Sequence, residues 1–246
     1  MDCLAYLQRA KKEHSKLLAI LLDPEKMDRV AAELPYVNEA DLLLVGSSTG
    51  ENAEVCIKAI RQHTDLPIYL FPGNISQFTP LADAILFLTL LNSRRPEILI
   101  DPHIQVARKI KHSGVESIPM GYILVDGGVE TTVEIVSKCT PISHSQVDTI
   151  VDIAIAGELL GKELIYLEAG SGAHHPIPQN VITAVENSLQ VPLIVGGGIC
   201  TEQAMLDAFV AGADVVVIGN YFEQHPHKIQ DFVQRKREIY GSGLAR

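Results

Sequence analysis

Short apolar runs recur along the chain, separated by segments in which apolar residues return every three or four positions. The runs occupy residues 17–23, 41–48, 67–71, 84–91, 118–125, 164–169, 192–195 and 214–218 and are rich in Ile, Leu and Val. They lack in-and-out alternation, as strands buried on both faces of a parallel sheet do. The segments between them predict helices over 24–39, 51–63, 102–112, 146–160, 178–189, 201–211 and 227–240. Asp23 is the expected N-cap of the first, with Pro24 at its first helical position. Strand alternating with helix gives the α/β class, and eight repeats favour a closed barrel over an open sheet. Two stretches break the rhythm. Residues 72–83 carry Pro72, Gly73 and Pro80, which do not suit a regular helix. Residues 127–145 form a long insertion rich in Thr and Ser. No composition shift marks a boundary, so residues 1–246 read as one (β/α)8-barrel domain. About 250 residues is the usual size of such a barrel.

In a barrel of this kind the chemistry lies at the C-terminal ends of the strands. Nearly every predicted strand ends in small or polar residues. Gly196-Gly197-Gly198, followed by Thr201, and Gly219-Asn220 end the seventh and eighth strands. Glycines there let backbone N–H groups approach a phosphate, although glycines also simply make tight turns. Gly170-Ser171-Gly172 offers a third such loop. It is not a dinucleotide fingerprint, because His175 stands where the third glycine belongs. Glu168 ends an otherwise apolar strand, where a carboxylate is costly unless it is paired or works. Asp23 has a second reading as a ligand for Mg²⁺, a hard ion often held by one or two protein oxygens plus substrate phosphates. Ser48 is placed to supply the second oxygen, though Ser there also suits a helix start. His174-His175 looks like a metal pair, but adjacent side chains rarely converge on one ion.

Charge narrows the partners. The chain carries 30 acidic and 20 basic residues, a net charge of −10. That excess, without a basic run, argues against nucleic acid and against electrostatic docking on anionic membrane. Four dispersed cysteines, Cys3, Cys56, Cys139 and Cys200, make neither a disulfide framework nor a thiolate zinc site; buried thiols in a reducing cytosol are expected. The N-terminal dozen residues lack a secretory apolar core. The longest strongly apolar stretch, 84–91, is far below the roughly 18 residues of a spanning helix. A soluble, cytoplasmic protein without an integral membrane segment is the expectation.

Taken together, the strand ends resemble the geranylgeranylglyceryl phosphate synthases and their bacterial relatives of the PcrB type. The resemblance rests on Leu22-Asp23-Pro24-Glu25-Lys26, Val45-Gly46-Ser47-Ser48-Thr49-Gly50, Leu70-Phe71-Pro72-Gly73-Asn74, Leu91-Asn92-Ser93 and the segment 121–128. It continues through Tyr166-Leu167-Glu168-Ala169-Gly170-Ser171-Gly172-Ala173, Val195-Gly196-Gly197-Gly198-Ile199 and Val217-Ile218-Gly219-Asn220. The Tyr166 segment is the most specific. The glycine motifs at the end occur in many phosphate-binding barrels.

The resemblance implies a modified (β/α)8 barrel in which a non-helical segment replaces the helix after strand three, matching residues 72–83. It implies a Mg²⁺-dependent prenyltransferase that joins sn-glycerol-1-phosphate to geranylgeranyl diphosphate or another prenyl diphosphate, making an ether lipid precursor. Asp23 and Ser48 would hold Mg²⁺. Tyr166, Leu167, Glu168, Ala169, Gly170, Ser171 and Gly172, with Gly197, Gly198, Gly219 and Asn220, would bind glycerol phosphate. Glu168 would aim the glycerol hydroxyl and take its proton, with Tyr166 beside it in the catalytic group. One branch of the family has a Lys two residues before the Asp; here Leu21 stands there. The segment 121–128 and the Ala-Gly-Ser-Gly form place the chain nearer the longer-sequence branch, whose usual donor is geranylgeranyl diphosphate. Members are homo-oligomers, dimers or hexamers. Walls for the prenyl tail are sought around Phe71, Tyr122 and residues 98–100. The alternatives are another phosphate-binding barrel enzyme, such as a sugar-phosphate isomerase or an indole-glycerol-phosphate-type synthase, and a non-catalytic barrel that binds phosphate or lipid.

Overall fold

The computed structural model describes residues 2–47, 50 and 52–241. Eight parallel strands close into a barrel in chain order. They are β1 (Leu17–Leu22), β2 (Leu42–Val45), β3 (Ile68–Leu70), β4 (Ala84–Leu90), β5 (Glu116–Leu124), β6 (Leu164–Glu168), β7 (Leu193–Gly196) and β8 (Val215–Ile218). All eight fall within the apolar runs of the sequence or, for β5 and β7, within two residues of them. The barrel closes through β1 and β8, with Leu17 opposite Val215 and Ile20 opposite Ile218.

Although every strand is buried on both faces, the faces are distinct. Leu17 and Ala19 on β1, Met120 and Tyr122 on β5, and Leu164 and Tyr166 on β6 belong to the core inside the barrel. Leu18, Ile20, Ile165 and Leu167 belong to a second core, between the barrel and its helices. Successive side chains therefore go to opposite layers, as the strand period requires. Both layers are apolar, which is why the sequence shows runs.

The helices are α1 (Cys3–Lys12), α2 (Met27–Glu33), α3 (Ala53–Ile60), α4 (Pro96–Leu99), α5 (Asp101–Ser113), α6 (Thr132–Ser137), α7 (Val147–Leu159), α8 (Gln179–Glu186), α9 (Glu202–Val210), α10 (Asn220–Gln224) and α11 (Lys228–Tyr240). None of the described helices is long and apolar enough to cross a membrane. Between β3 and β4 the described chain makes only one 3-10 turn, Ile75–Gln77, so the expected non-helical segment is present.

Four expectations need correction. Asp23 does not cap a helix: its carboxylate accepts from the Glu25 N–H at 3.0 Å, a local turn that delays α2 to Met27, with Lys26 at the cap. That helix then tightens into a 3-10 segment, Leu34–Glu39, with Pro35 in its first turn. The Thr-rich insertion holds a helix, α6, started by a capping box between Thr131 and Glu134. The fourth concerns thiols: Cys3, Cys56 and Cys139 are buried, but Cys200 is exposed. The N-terminal segment is also helical. Cys3, Tyr6, Leu7 and Ala10 make its buried stripe, and Asp2 caps it by accepting from the Ala5 N–H. Helix α1 closes the N-terminal end of the barrel: Cys3 and Leu4 N–H groups donate to the Glu116 carboxylate at 2.6 and 2.8 Å. That leaves the opposite end, where the strands finish, for a site.

Candidate active site

A cavity of about 410 Å³ opens at that end, and most of the expected site residues face it. Strand parity decides which. On β6, Tyr166 and Glu168 point inward and line the cavity, while Leu167 points into the helix layer. Ala169 likewise packs in the outer layer. Leu167 and Ala169, also expected in the binding segment, do not line the cavity: one residue along a strand reverses the face. Gly170, Ser171, Gly172, Gly197, Gly198, Gly219 and Asn220 all line the cavity, so the three glycine loops after β6, β7 and β8 converge on one place. Gly197 and Gly198 both have positive φ, 86° and 69°. Such a backbone turns N–H groups toward a common centre and favours an anion there.

Glu168 is the chemical centre of the wall. It is 6% exposed. Its Oε1 accepts from the Gly170 N–H at 2.7 Å, and the Tyr122 and Tyr166 hydroxyls stand beside its carboxylate. Burial raises its pKa above the ordinary carboxylate value, while the Gly170 N–H and the two neighbouring phenols oppose that rise. Burial, together with the charge of Glu168, keeps both phenols far above their ordinary range, so they stay protonated. Tyr122, expected as a groove wall, also stands beside Glu168, a neighbour the sequence does not show. The signal that could have found it is register, since Tyr122 pairs with Tyr166 across β5 and β6.

The aromatic rings extend the wall. Phe71 stacks on Tyr166 at 5.4 Å between centroids, and Tyr122 meets Tyr166 edge-on at 5.3 Å. Leu88 and Leu90 of β4, Ile98 of α4, and Val133 and Val136 of α6 continue this apolar flank. Of the segment 98–100, only Ile98 reaches it; Ile100 is 54% exposed. Leu21 lines the cavity and lies against Gly219.

On the rim opposite the apolar flank stands a charged group. Asp23 faces the cavity, and its Oδ2 lies 3.3 Å from the Lys26 ammonium. Lys26 also donates to both carboxylate oxygens of Glu223, at 3.1 and 2.9 Å. Neither Lys26 nor Glu223 was singled out in the sequence. Ser48, the other expected metal ligand, lies outside the described residues. Its neighbour Ser47 is held by the buried Gln77 amide, which donates to the Ser47 carbonyl at 2.7 Å and accepts from the Gly73 N–H at 3.2 Å. His174 and His175 are no metal pair: their rings are 6.4 Å apart and nearly perpendicular. Among the described residues no group of three His, Cys, Asp or Glu could hold a metal ion by itself.

The PcrB family model matches residues 9–236. This chain belongs to the PcrB family. Similar proteins include the geranylgeranylglyceryl phosphate synthase of Zunongwangia profunda, 45% identical over 225 residues, covering 89% of this chain and 96% of that protein. The synthase of Thermococcus kodakarensis is 41% identical and covers 87% of each. Among solved structures, the (S)-3-O-geranylgeranylglyceryl phosphate synthase of Thermoplasma acidophilum, in complex with its substrate sn-glycerol-1-phosphate, aligns with a TM-score of 0.87 at 33% identity. That alignment covers 97% of this chain and all of the other. A tryptophan synthase α-subunit of Pyrococcus furiosus, TM-score 0.52 at 13% identity over 93% of this chain and 99% of its own, shares the barrel fold alone.

Proposed function

We propose that this chain is a prenyltransferase that joins sn-glycerol-1-phosphate to geranylgeranyl diphosphate. The products are (S)-3-O-geranylgeranylglyceryl phosphate and diphosphate, the first ether-forming step of archaeal-type lipid synthesis. The observation that carries this is the make-up of one cavity: a three-loop glycine cradle, a buried carboxylate flanked by two tyrosines, and an apolar flank. A small phosphate ester, a hydroxyl to be deprotonated and a hydrocarbon tail are the ligands such a cavity suits. Relatives with this name, and the solved synthase holding glycerol phosphate, support the same reading.

In this reading the phosphate sits among Gly170 to Gly172, Gly197, Gly198, Gly219 and Asn220. The glycerol hydroxyl lies against Glu168. The hydroxyl oxygen bonds to the allylic carbon as the C–O bond to diphosphate breaks, and diphosphate leaves with the bonding pair. Glu168 takes the hydroxyl proton; its raised pKa makes it a better base than an ordinary carboxylate. The Gly170 N–H, with Tyr122 and Tyr166 crowding the other side, fixes the carboxylate before substrate arrives. The Phe71 face and the Ile98 and Val133 side chains would take the tail.

Magnesium belongs to this proposal. Asp23 offers one hard carboxylate at the cavity rim, and Mg²⁺ commonly takes one or two such oxygens plus substrate phosphates. That donor set fits an ion completed by diphosphate, with Ser48 as the second protein oxygen. Bound there, the ion would neutralise charge on the departing diphosphate. A cytoplasmic dimer or hexamer is part of the same proposal, and light scattering distinguishes the two assemblies.

The test is an end-point assay by mass spectrometry with sn-glycerol-1-phosphate, geranylgeranyl diphosphate and Mg²⁺. The expected result is a prenylglyceryl phosphate that EDTA abolishes and that sn-glycerol-3-phosphate does not yield. No product from any prenyl diphosphate would overturn the reaction.

A further inference from the structure

The two substrates of the proposed reaction are both anions, yet the cavity is strongly acidic. Asp23, Glu25, Glu168 and Glu223 all line it. Among its described lining residues Lys26 is the one Lys or Arg. The glycine cradle accounts for the phosphate of the smaller substrate. Nothing assigned so far on the protein itself gives hydrogen bonds to the diphosphate.

Lys26 is poised for that task by its partners. Glu223 on α10 is buried and holds the ammonium with both carboxylate oxygens. Asp23 takes the third direction at 3.3 Å. An ammonium has three N–H donors, so Asp23 and Glu223 together can occupy all of them. Asp23, however, is also the residue placed to hold a divalent cation. A divalent cation on the Asp23 carboxylate would compete with the ammonium for it, because like charges repel at such range. A cation held by Asp23 would therefore turn one Lys26 donor toward the cavity, while Glu223 keeps the ammonium in place.

We propose that Lys26 binds the diphosphate of the prenyl donor and donates a hydrogen bond to its departing oxygen, and that Glu223 is the positioning residue that presents Lys26. This rests on the prenyltransferase reading. As the allylic C–O bond breaks, the oxygen that keeps the bonding pair gains charge, and the Lys26 N–H meets it without transferring its proton. A charge-assisted hydrogen bond of this kind is worth about a tenfold to hundredfold change in binding.

The test uses Lys26→Met, which keeps the stem and removes the charge, and the double variant Lys26→Met with Glu223→Gln, which leaves no unpaired buried carboxylate. Lys26→Arg keeps the charge. Calorimetry with inorganic diphosphate and Mg²⁺ should show about tenfold or greater weakening in both Met variants and partial retention in Lys26→Arg. Binding of sn-glycerol-1-phosphate should stay within about twofold. Steady-state kinetics should show the loss in kcat/KM for the prenyl diphosphate, with KM for glycerol phosphate unchanged. Unchanged diphosphate affinity in the folded double variant would overturn the role of Lys26, as would a wild-type protein that binds no diphosphate. Wild-type protein that binds diphosphate through Lys26 but forms no ether would overturn the reaction and support the anion contact.

Discussion

A Cβ built on Gly196 would stand 2.2 Å from the Tyr166 hydroxyl oxygen. Glycine at the end of β7 is therefore what lets the phenol of β6 reach Glu168. Gly196→Ala should push the Tyr166 ring aside and cost about 1–3 kcal/mol of stability, the usual size of overpacking. It should also lower turnover while leaving glycerol-phosphate binding largely intact. Adding Tyr166→Phe should restore stability without restoring rate. Denaturant melts and kcat on the two variants check this; full activity in Gly196→Ala would mean the phenol position is immaterial.

Glu168→Gln keeps the shape of the side chain and its place beside Gly170. It removes the base. Turnover should drop by about 10²–10⁴, the range that general-base catalysis supplies, with sn-glycerol-1-phosphate affinity changed only a few-fold. Single-turnover rates beside a calorimetric titration separate the two quantities, and wild-type turnover would end the assignment.

Asp23→Asn should raise the Mg²⁺ concentration for half-maximal activity by roughly tenfold or more, even losses around metal ligands being of that size. Saturating Mg²⁺ should recover part of the rate. An unaltered Mg²⁺ titration would refute Asp23 as a ligand.

Glu33 predicts a pH dependence of stability. It is fully buried, and neither carboxyl oxygen has a hydrogen-bond partner. Burial, with the charge of Glu223 adding and Lys26 opposing, raises its pKa from 4.5 to about 8. Between those values the unfolded chain releases a proton that the folded chain keeps, so stability falls as pH rises from about 4.5 to about 8. A shift of this size corresponds to roughly 5 kcal/mol. Glu33→Gln should flatten that slope, leaving the variant less sensitive than wild type. Urea midpoints at pH 5, 6.5 and 8 measure it; parallel slopes in the two proteins would contradict the buried-carboxyl account.

Much of the barrel was legible because its strands are buried twice over. Residues 164–168 read as a run since Leu164, Tyr166, Ile165 and Leu167 all meet apolar layers. The same property hid which face each residue takes, so Leu167 and Ala169 entered the expected site beside Tyr166 and Glu168. The Asp23-Pro24 pair suits a helix start. The Glu25 N–H closes a turn on Asp23 instead, and the freed carboxylate faces the cavity. Helix α6 escaped notice because its six residues are too short for a periodic signal. The Tyr122–Glu168 and Lys26–Glu223 pairs span 46 and 197 residues of chain, and only the closed barrel brings them together.

The two-residue spacing of Tyr166 and Glu168 also limits how this segment can change length. Deleting one residue between Leu164 and Tyr166 would exchange the inward and outward sets, since a single-step shift reverses every face. The cavity would then receive aliphatic side chains, and a carboxylate would be driven into the layer under the helices. Losing or gaining two residues preserves the alternation and moves the same groups by one rung. Length variation in β6 is thus permitted in pairs and forbidden singly.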